Sequence, residues 1–453
     1  MVSSQADKIG ELSDKIEGLN REMAELKQRL SHYENSNSPP SRNSLLYREM
    51  KSKRREESRS EDGSTIKKPG RKDGHEGVTQ IFKPTGSPIT HIMERCPKCS
   101  STRLTVTSTE KRTVVDIPEP LPYTVKEHVI NVYTYSSCGA DGLLPESVGS
   151  ELPAASSPLE ATKSNGVILG RNVLSTISLL WSVARLPQRK ISYLLESLYH
   201  LELSPATIGH ALEKVSHRLE AFQEKVRKGI NRSGAANFDE TGMPVAGKKG
   251  WIWVAATEKL ALVQVAMSRG RDALEKYFPK FRGVAIVDGW KPYRFFSLIQ
   301  RCWAHVLREA EVLSLRARGK EEAGELLSSL RGLFHETKSE LEEHPPPNRK
   351  LRDKMLRKLR VILSREYRDA DVVRFVSKLK VASRDLSTFT LYKGVEPTNN
   401  HAERELREPI VHRKIRRQLK SEMGMTVFSR LMTAVSTWKL QGLNPFVEFQ
   451  RCL

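Results

Sequence analysis

No stretch of this chain approaches eighteen consecutive apolar residues, so nothing in it reads as a membrane-spanning helix. Its first residues lack the basic, apolar and small-residue succession of a secretory signal, so a cytoplasmic protein with no membrane partner is expected. The apolar run 167–180 is interrupted by Gly170, Arg171 and Asn172, and reads as a buried helix. Cysteine is scarce: five in 453 residues, an odd number, which argues against a disulfide framework. What the chain has in excess is positive charge. Lys and Arg number 75 against 54 Asp and Glu, a net charge of +21 that favours a polyanionic partner such as nucleic acid and a nucleoid-associated protein. A solvated basic surface would carry the same number, so charge alone does not assign a role. The length allows two or three domains and a substantial core.

The organisation changes several times along the chain. In 6–34, Ile9, Leu12, Ile16, Leu19, Met23, Leu26, Leu30 and Tyr33 alternate spacings of three and four, the a/d pattern of a two-stranded coiled coil. That pattern predicts a homodimer, weakened locally by Gly10 and Gly18. Residues 35–77 turn to Ser, Pro, Gly and charge, as expected of a disordered basic linker. Within it Lys67, Lys68, Arg71 and Lys72 surround a Pro-Gly core that could lie in an A·T-rich minor groove or simply be solvated. Residues 78–145 read as β-rich, with Cys96 and Cys99 in a CxxC knuckle and Cys138 after them. Three thiolates make a structural Zn²⁺ site only with a fourth ligand, His91 or His128, because Tyr135 stands where another cysteine would complete a second pair. Residues 158–230 are helical, and Ser204 followed by Pro205 marks a helix start. A helix, turn and helix there serve equally as a DNA-binding unit or an ordinary hairpin.

From 231 to 430 the pattern carries chemistry. Strand-like runs at 235–239, 251–256 and 260–267 precede a helix at 271–278 and a run at 284–288 that reads as a fully buried strand. Three antiparallel strands, a helix and a further strand open an α/β fold of the ribonuclease-H-like kind, in which the first and fourth strands lie side by side. Asp239 and Asp288 would then share one end of the sheet. Two carboxylates pressed together repel, and a divalent cation removes that cost, so the pair predicts Mg²⁺ or Mn²⁺. Either acid alone would more simply make a turn, as Asp288-Gly289 could. A helical insertion is expected at about 300–395; in it Cys302 and His305, one turn apart, are read as packing residues rather than ligands. Residues 431–453 are expected to form a C-terminal helical tail.

The string Asn399-Asn400-His401-Ala402-Glu403-Arg404 opens a basic helix. Arg404, Arg407, Arg413, Lys414, Arg416 and Arg417, with Lys420 beyond, form a strip able to grip phosphates. Glu403 is a third acid, but Glu405 and Glu408 compete with it, and a salt bridge from Glu403 to Arg407 would explain it without function. The residues alone leave that choice open.

Asp239-Glu240-Thr241, Val287-Asp288-Gly289-Trp290, Arg301-Cys302-Trp303-Ala304-His305 and the Asn399 to Arg404 string together resemble DDE transposases of the insertion-sequence sixty-six family. The likeness extends to the N-terminal coil, the Asn-Ser-Pro-Pro-Ser linker, the CPxC knuckle and Gly442-Leu443-Asn444-Pro445. It implies Asp239, Asp288 and Glu403 as a catalytic triad holding two Mg²⁺ or Mn²⁺ ions, and a zinc module from which Tyr135 departs. Double-stranded DNA is the implied partner, both the terminal inverted repeats of an element and its target. The coil would bring two copies together, and accessory proteins of the same element are further candidate partners. A metal-dependent nuclease that cuts without joining, or an inactive DNA-binding relic or regulator, would share these features.

Overall fold

The computed structural model describes residues 94, 95, 102, 123–125, 169–315 and 320–453. The expected coil, the basic linker with Lys67, Lys68, Arg71 and Lys72, and the candidate zinc ligands Cys96, Cys99 and Cys138 lie outside the described residues.

Four helices come first: α1 (Arg171–Ser182), α2 (Gln188–Tyr199), α3 (Pro205–Arg218) and α4 (Glu220–Arg232). Ser204 caps α3 as its type and position foretell, its Oγ accepting from the Thr207 amide at 3.1 Å, with Pro205 at the first helical position. Strands β1 (Ala235–Gly242), β2 (Trp251–Ala256) and β3 (Ala261–Ala266) follow, then α5 (Arg271–Tyr277), β4 (Val284–Val287) and β5 (Leu298–Arg301). The sheet order is β3-β2-β1-β4-β5, antiparallel through the first three strands and parallel from β1 to β5. All four residues of β4 are buried, as expected for an unbroken apolar run in a central parallel strand. This is the expected α/β core, with β1 and β4 adjacent.

After β5 come α6 (Trp303–Ser314), α7 (Lys320–Glu343), α8 (Arg349–Leu363) and α9 (Ala370–Ala382), which share one apolar cluster with Val284 and Ile286 of β4. The chain then returns through α10 (Asn400–Glu405), α11 (Arg407–Arg416), α12 (Glu422–Leu440) and α13 (Pro445–Cys452). A second cluster joins α1, α2 and α3 to β2, β3 and α12, so the helices ahead of β1 are built into the same core as the sheet. The division expected between 430 and 431 falls inside α12.

Helix α12 lies along the outer edge of β3. Ser429, Thr433 and Thr437, spaced four apart on one helix face, accept from the amides of Val265, Val263 and Ala261 at 2.9, 3.0 and 3.2 Å. Thr433 and Thr437 also donate to the carbonyls of Val263 and Ala261, so helix hydroxyls satisfy an edge strand that would otherwise be bare. The opposite edge is covered too: Thr388 donates to Ile299 O and the Arg301 amide to Asp385 O.

The basic strip expected to face DNA is only partly on the surface. Arg413 is 1% exposed, its guanidinium donating to Thr241 Oγ1 at 3.1 Å and to the Gly242 carbonyl. Arg416 donates to the carbonyls of Trp181 and Leu186, both at 3.1 Å, and stacks on the Trp181 ring at 4.0 Å. Both therefore clamp α11 to the core instead of facing solvent, and they leave the DNA-binding set. Beside them His412 is wholly buried between Trp181 and Phe428, and its Nε2 donates to Ser182 O at 2.8 Å. Burial lowers its pKa from 6.5 to about 4. Between those values the unfolded chain binds the proton and the folded chain does not, so stability falls as pH drops from 6.5 toward 4. The loss should approach about 3 kcal/mol at the low end. Thermal melts over this range should show that dependence in the native chain and a reduced one in His412→Gln.

Candidate active site

Strand alternation decides what surrounds the first acid. Along β1, Asn237, Asp239 and Thr241 point to the face carrying α10 and α11, whereas Phe238 and Glu240 point to the face carrying α5. Asp288 follows the last residue of β4. The parallel ladder pairs Ala235 with Val284 and Asn237 with Ile286, an offset of 49 (284 − 235). Continued for two residues, the same offset sets Asp239 beside Asp288 (288 − 239 = 49).

The third acid is delivered by a buried asparagine. Asn399 has no exposed surface; its Nδ2 donates to Phe238 O at 2.8 Å and its Oδ1 accepts from Asn237 Nδ2 at 3.1 Å. Its backbone amide donates to Cys302 Sγ at 3.1 Å, and the Cys302 amide donates to Val287 O at 2.8 Å. The start of α10 is thus tied to β1 next to Asp239 and to β4 next to Asp288. Glu403 lies in the first turn of α10, within electrostatic reach of Asp239. Its Oε1 stands 3.7 Å from His305 Nε2, so the side chain turns to His305 instead of Arg407. The competing glutamates have other attachments. Glu408 makes a two-point bridge to Arg185 at 2.8 Å, and Glu405 is half-buried beside Ser436 and His401.

Electrostatically Asp239 is short of positive charge. Burial raises the Asp239 carboxyl well above its ordinary range, and Glu240, Asp288 and Glu403 raise it further. Glu240 has its own partners: Arg269 Nε and Nη2 donate to Oε1 at 2.9 and 2.8 Å, and the Tyr293 hydroxyl donates to Oε2. Glu240 is therefore a neutralised structural acid, and Asp239 is the one with no cation opposite it. Several buried polar atoms here also have no hydrogen-bond partner: Glu403 Oε1, His305 Nδ1, Arg301 Nε and Arg308 Nη1. Among the described residues no three His, Cys, Asp or Glu side chains form a ready coordination cluster. The donor chemistry nevertheless suits a hard divalent cation: three carboxylates, with no cation opposite Asp239 and no hydrogen-bond partner on Glu403 Oε1.

Cys302 is a packing residue, as expected; burial pushes its thiol up to about 11. His305 differs from its sequence reading, because it faces Glu403. Burial holds its imidazole below the usual value against the pull of Asp288 and Glu403, which favours the neutral ring. Arg301 and Arg308, on either side of His305, were not singled out in the sequence. Their signal was there in outline: two arginines seven apart around a helix start that carries the Cys302–His305 turn. Arg404, Arg407, Lys414 and Arg417 are exposed and remain available to phosphates.

The model for the Transposase IS66 family matches residues 166–427, more than half of the chain and a span that includes all three acids. The chain belongs to that family. No curated protein matches it. A mixed α/β core with a five-stranded sheet fits such a family. Among the described residues no helix is long and apolar enough to cross a membrane.

Proposed function

We propose that this chain cuts the ends of an insertion sequence and joins them to target DNA by in-line phosphoryl transfer. The observation carrying the proposal is the continued register that sets Asp239 beside Asp288, with Glu403 within electrostatic reach and no cation opposite Asp239. Asp239 and Asp288 would hold two Mg²⁺ or Mn²⁺ ions, with Glu403 adding a ligand. Such a pair supplies activation of the attacking water or 3′-hydroxyl and relief of charge on the leaving oxygen.

The protein's own groups do the remaining work. Asn399 fixes the distance between α10 and β1, so that three acids on three elements act as one site. Arg301 Nε and Arg308 Nη1 are buried without a hydrogen-bond partner, and Arg301 Nη2 stands 3.9 Å from Glu309 Oε2; a strand phosphate entering beside the acids would draw on these two guanidinium groups. Arg404, Arg407, Lys414 and Arg417 extend that grip along the DNA. Two copies would hold the two ends of the element. Pairing through residues 6–34 and help from accessory proteins of the element belong to the same proposal.

The test is an assay on duplex DNA bearing the terminal inverted repeat read from the gene's own flanks. With Mg²⁺ the chain should nick at the repeat boundary and yield joined products, and chelation should stop both. Glu403→Gln should bind the DNA with unchanged affinity and give neither product. Cutting without joining would reduce the proposal to a nuclease, and full strand transfer by Glu403→Gln would remove Glu403 from the site. Arg301→Ala with Arg308→Ala should weaken binding about tenfold and flatten its salt dependence by roughly two phosphate contacts.

A further inference from the structure

One feature beside the acids is unused by this mechanism. Trp290, two residues after Asp288, is 38% exposed although large aromatics are ordinarily drawn inside. It is also held firmly. Its backbone amide donates to Asp288 Oδ1 at 2.8 Å, and its carbonyl accepts from the Tyr293 amide at 3.2 Å. One face of its indole lies on the Arg269 guanidinium at 4.0 Å, and the same guanidinium lies on Trp251 at 4.6 Å. Arg269 is oriented in turn by its two bonds to Glu240, whose side chain is 1% exposed.

Neutralising Glu240 explains Arg269, but it does not require an exposed indole on its outer side. The result is a rigid aromatic face beside Asp288, backed by a cation. Next to it Arg301 lies against the backbone of Gly289, where an added Cβ would meet Nη2 at 2.6 Å. The Arg301 guanidinium, which also stands 3.9 Å from Glu309, and the indole face of Trp290 therefore flank the same loop.

The geometry points to Trp290 as the stacking platform for an unpaired nucleobase flanking the scissile phosphate, with Arg269 and Trp251 setting its orientation. This rests on the transposase reading above. If the strand bends to bring its phosphate between two strand-end acids, the base that leaves the stack there needs a new stacking partner. An indole provides one for any of the four bases, so the contact adds grip without sequence preference. Because the platform is prebuilt, little ordering accompanies the contact.

The test crosses a protein change with a DNA change. Binding of the terminal-repeat duplex is measured in the Glu403→Gln chain, with and without Trp290→Ala, on intact DNA. It is repeated on DNA with an abasic nucleotide placed in turn at each of the positions flanking the cut. Trp290→Ala should weaken binding to intact DNA about tenfold, and Trp290→Phe should restore most of it. At one abasic position the two changes should cease to add, the variant and its parent binding within about twofold. Equal binding by Trp290→Ala and its parent on intact DNA, or a full loss at every abasic position, overturns the platform. Trp290→Phe guards against a folding defect. Cleavage by the Glu403 chain is scored separately, so a chain that binds but never cuts would refute the catalytic reading and leave this comparison legible.

Discussion

Asp239→Asn and Asp288→Asn are each expected to lower strand transfer at least about a thousandfold, equivalent to roughly 4 kcal/mol of transition-state stabilisation. Their effect on the fold should run the other way. The Asp239 carboxylate is buried, and its neighbours in charge are Glu240, Asp288 and Glu403. Removing its charge relieves both desolvation and repulsion, so Asp239→Asn should melt above the native chain in buffer without divalent ions. Mg²⁺ should reverse the ranking, because a cation bound only by the folded state adds about 2.7 kcal/mol at a hundredfold excess over its dissociation constant. Calorimetry with and without Mg²⁺ reads this apart from catalysis. A native chain whose melting ignores Mg²⁺ and Mn²⁺ would contradict the metal-holding role of the acids.

Asn399→Ala should be the most damaging change that touches no carboxylate. It strips the bond to Phe238 O and leaves the buried Asn237 amide only its long 3.5 Å bond to Thr398 O, at a cost of about 3 kcal/mol. Freed from β1, α10 would let Glu403 drift, and a displacement near 1 Å can lower a rate about a hundredfold. Strand transfer measured well below the melting point separates the two effects. If rate returns to the native value once the variant is cooled into full folding, Asn399 serves the fold alone.

The core was legible in the sequence because its signals are local. A four-residue apolar run bounded by turns becomes a buried parallel strand with few alternatives, and a right-handed crossover leaves few places for it. The adjacency of Asp239 and Asp288 follows from that topology. Other features depend on contacts across long sequence separations. Which of Glu403, Glu405 and Glu408 turns inward depends on how α10 is rotated, and that is fixed by bonds from Asn399 to residues some 160 positions earlier. Arg413 and Arg416 look like surface cations on a basic helix. They are buried because Gly242, Trp181 and Leu186 present carbonyls exactly where no helix pattern could announce them. His305 reads as a packing residue in the sequence because packing and facing Glu403 share one helical spacing.

The sheet itself has no free border. Hydroxyls of α12 occupy one side and the Asp385–Thr388 stretch the other. Neither a second copy nor an extended peptide can therefore recruit this sheet by adding a strand. Among the described residues, contacts between copies are left to helical surfaces. The same closure would keep copies held close together on a polyanion from fusing through this sheet.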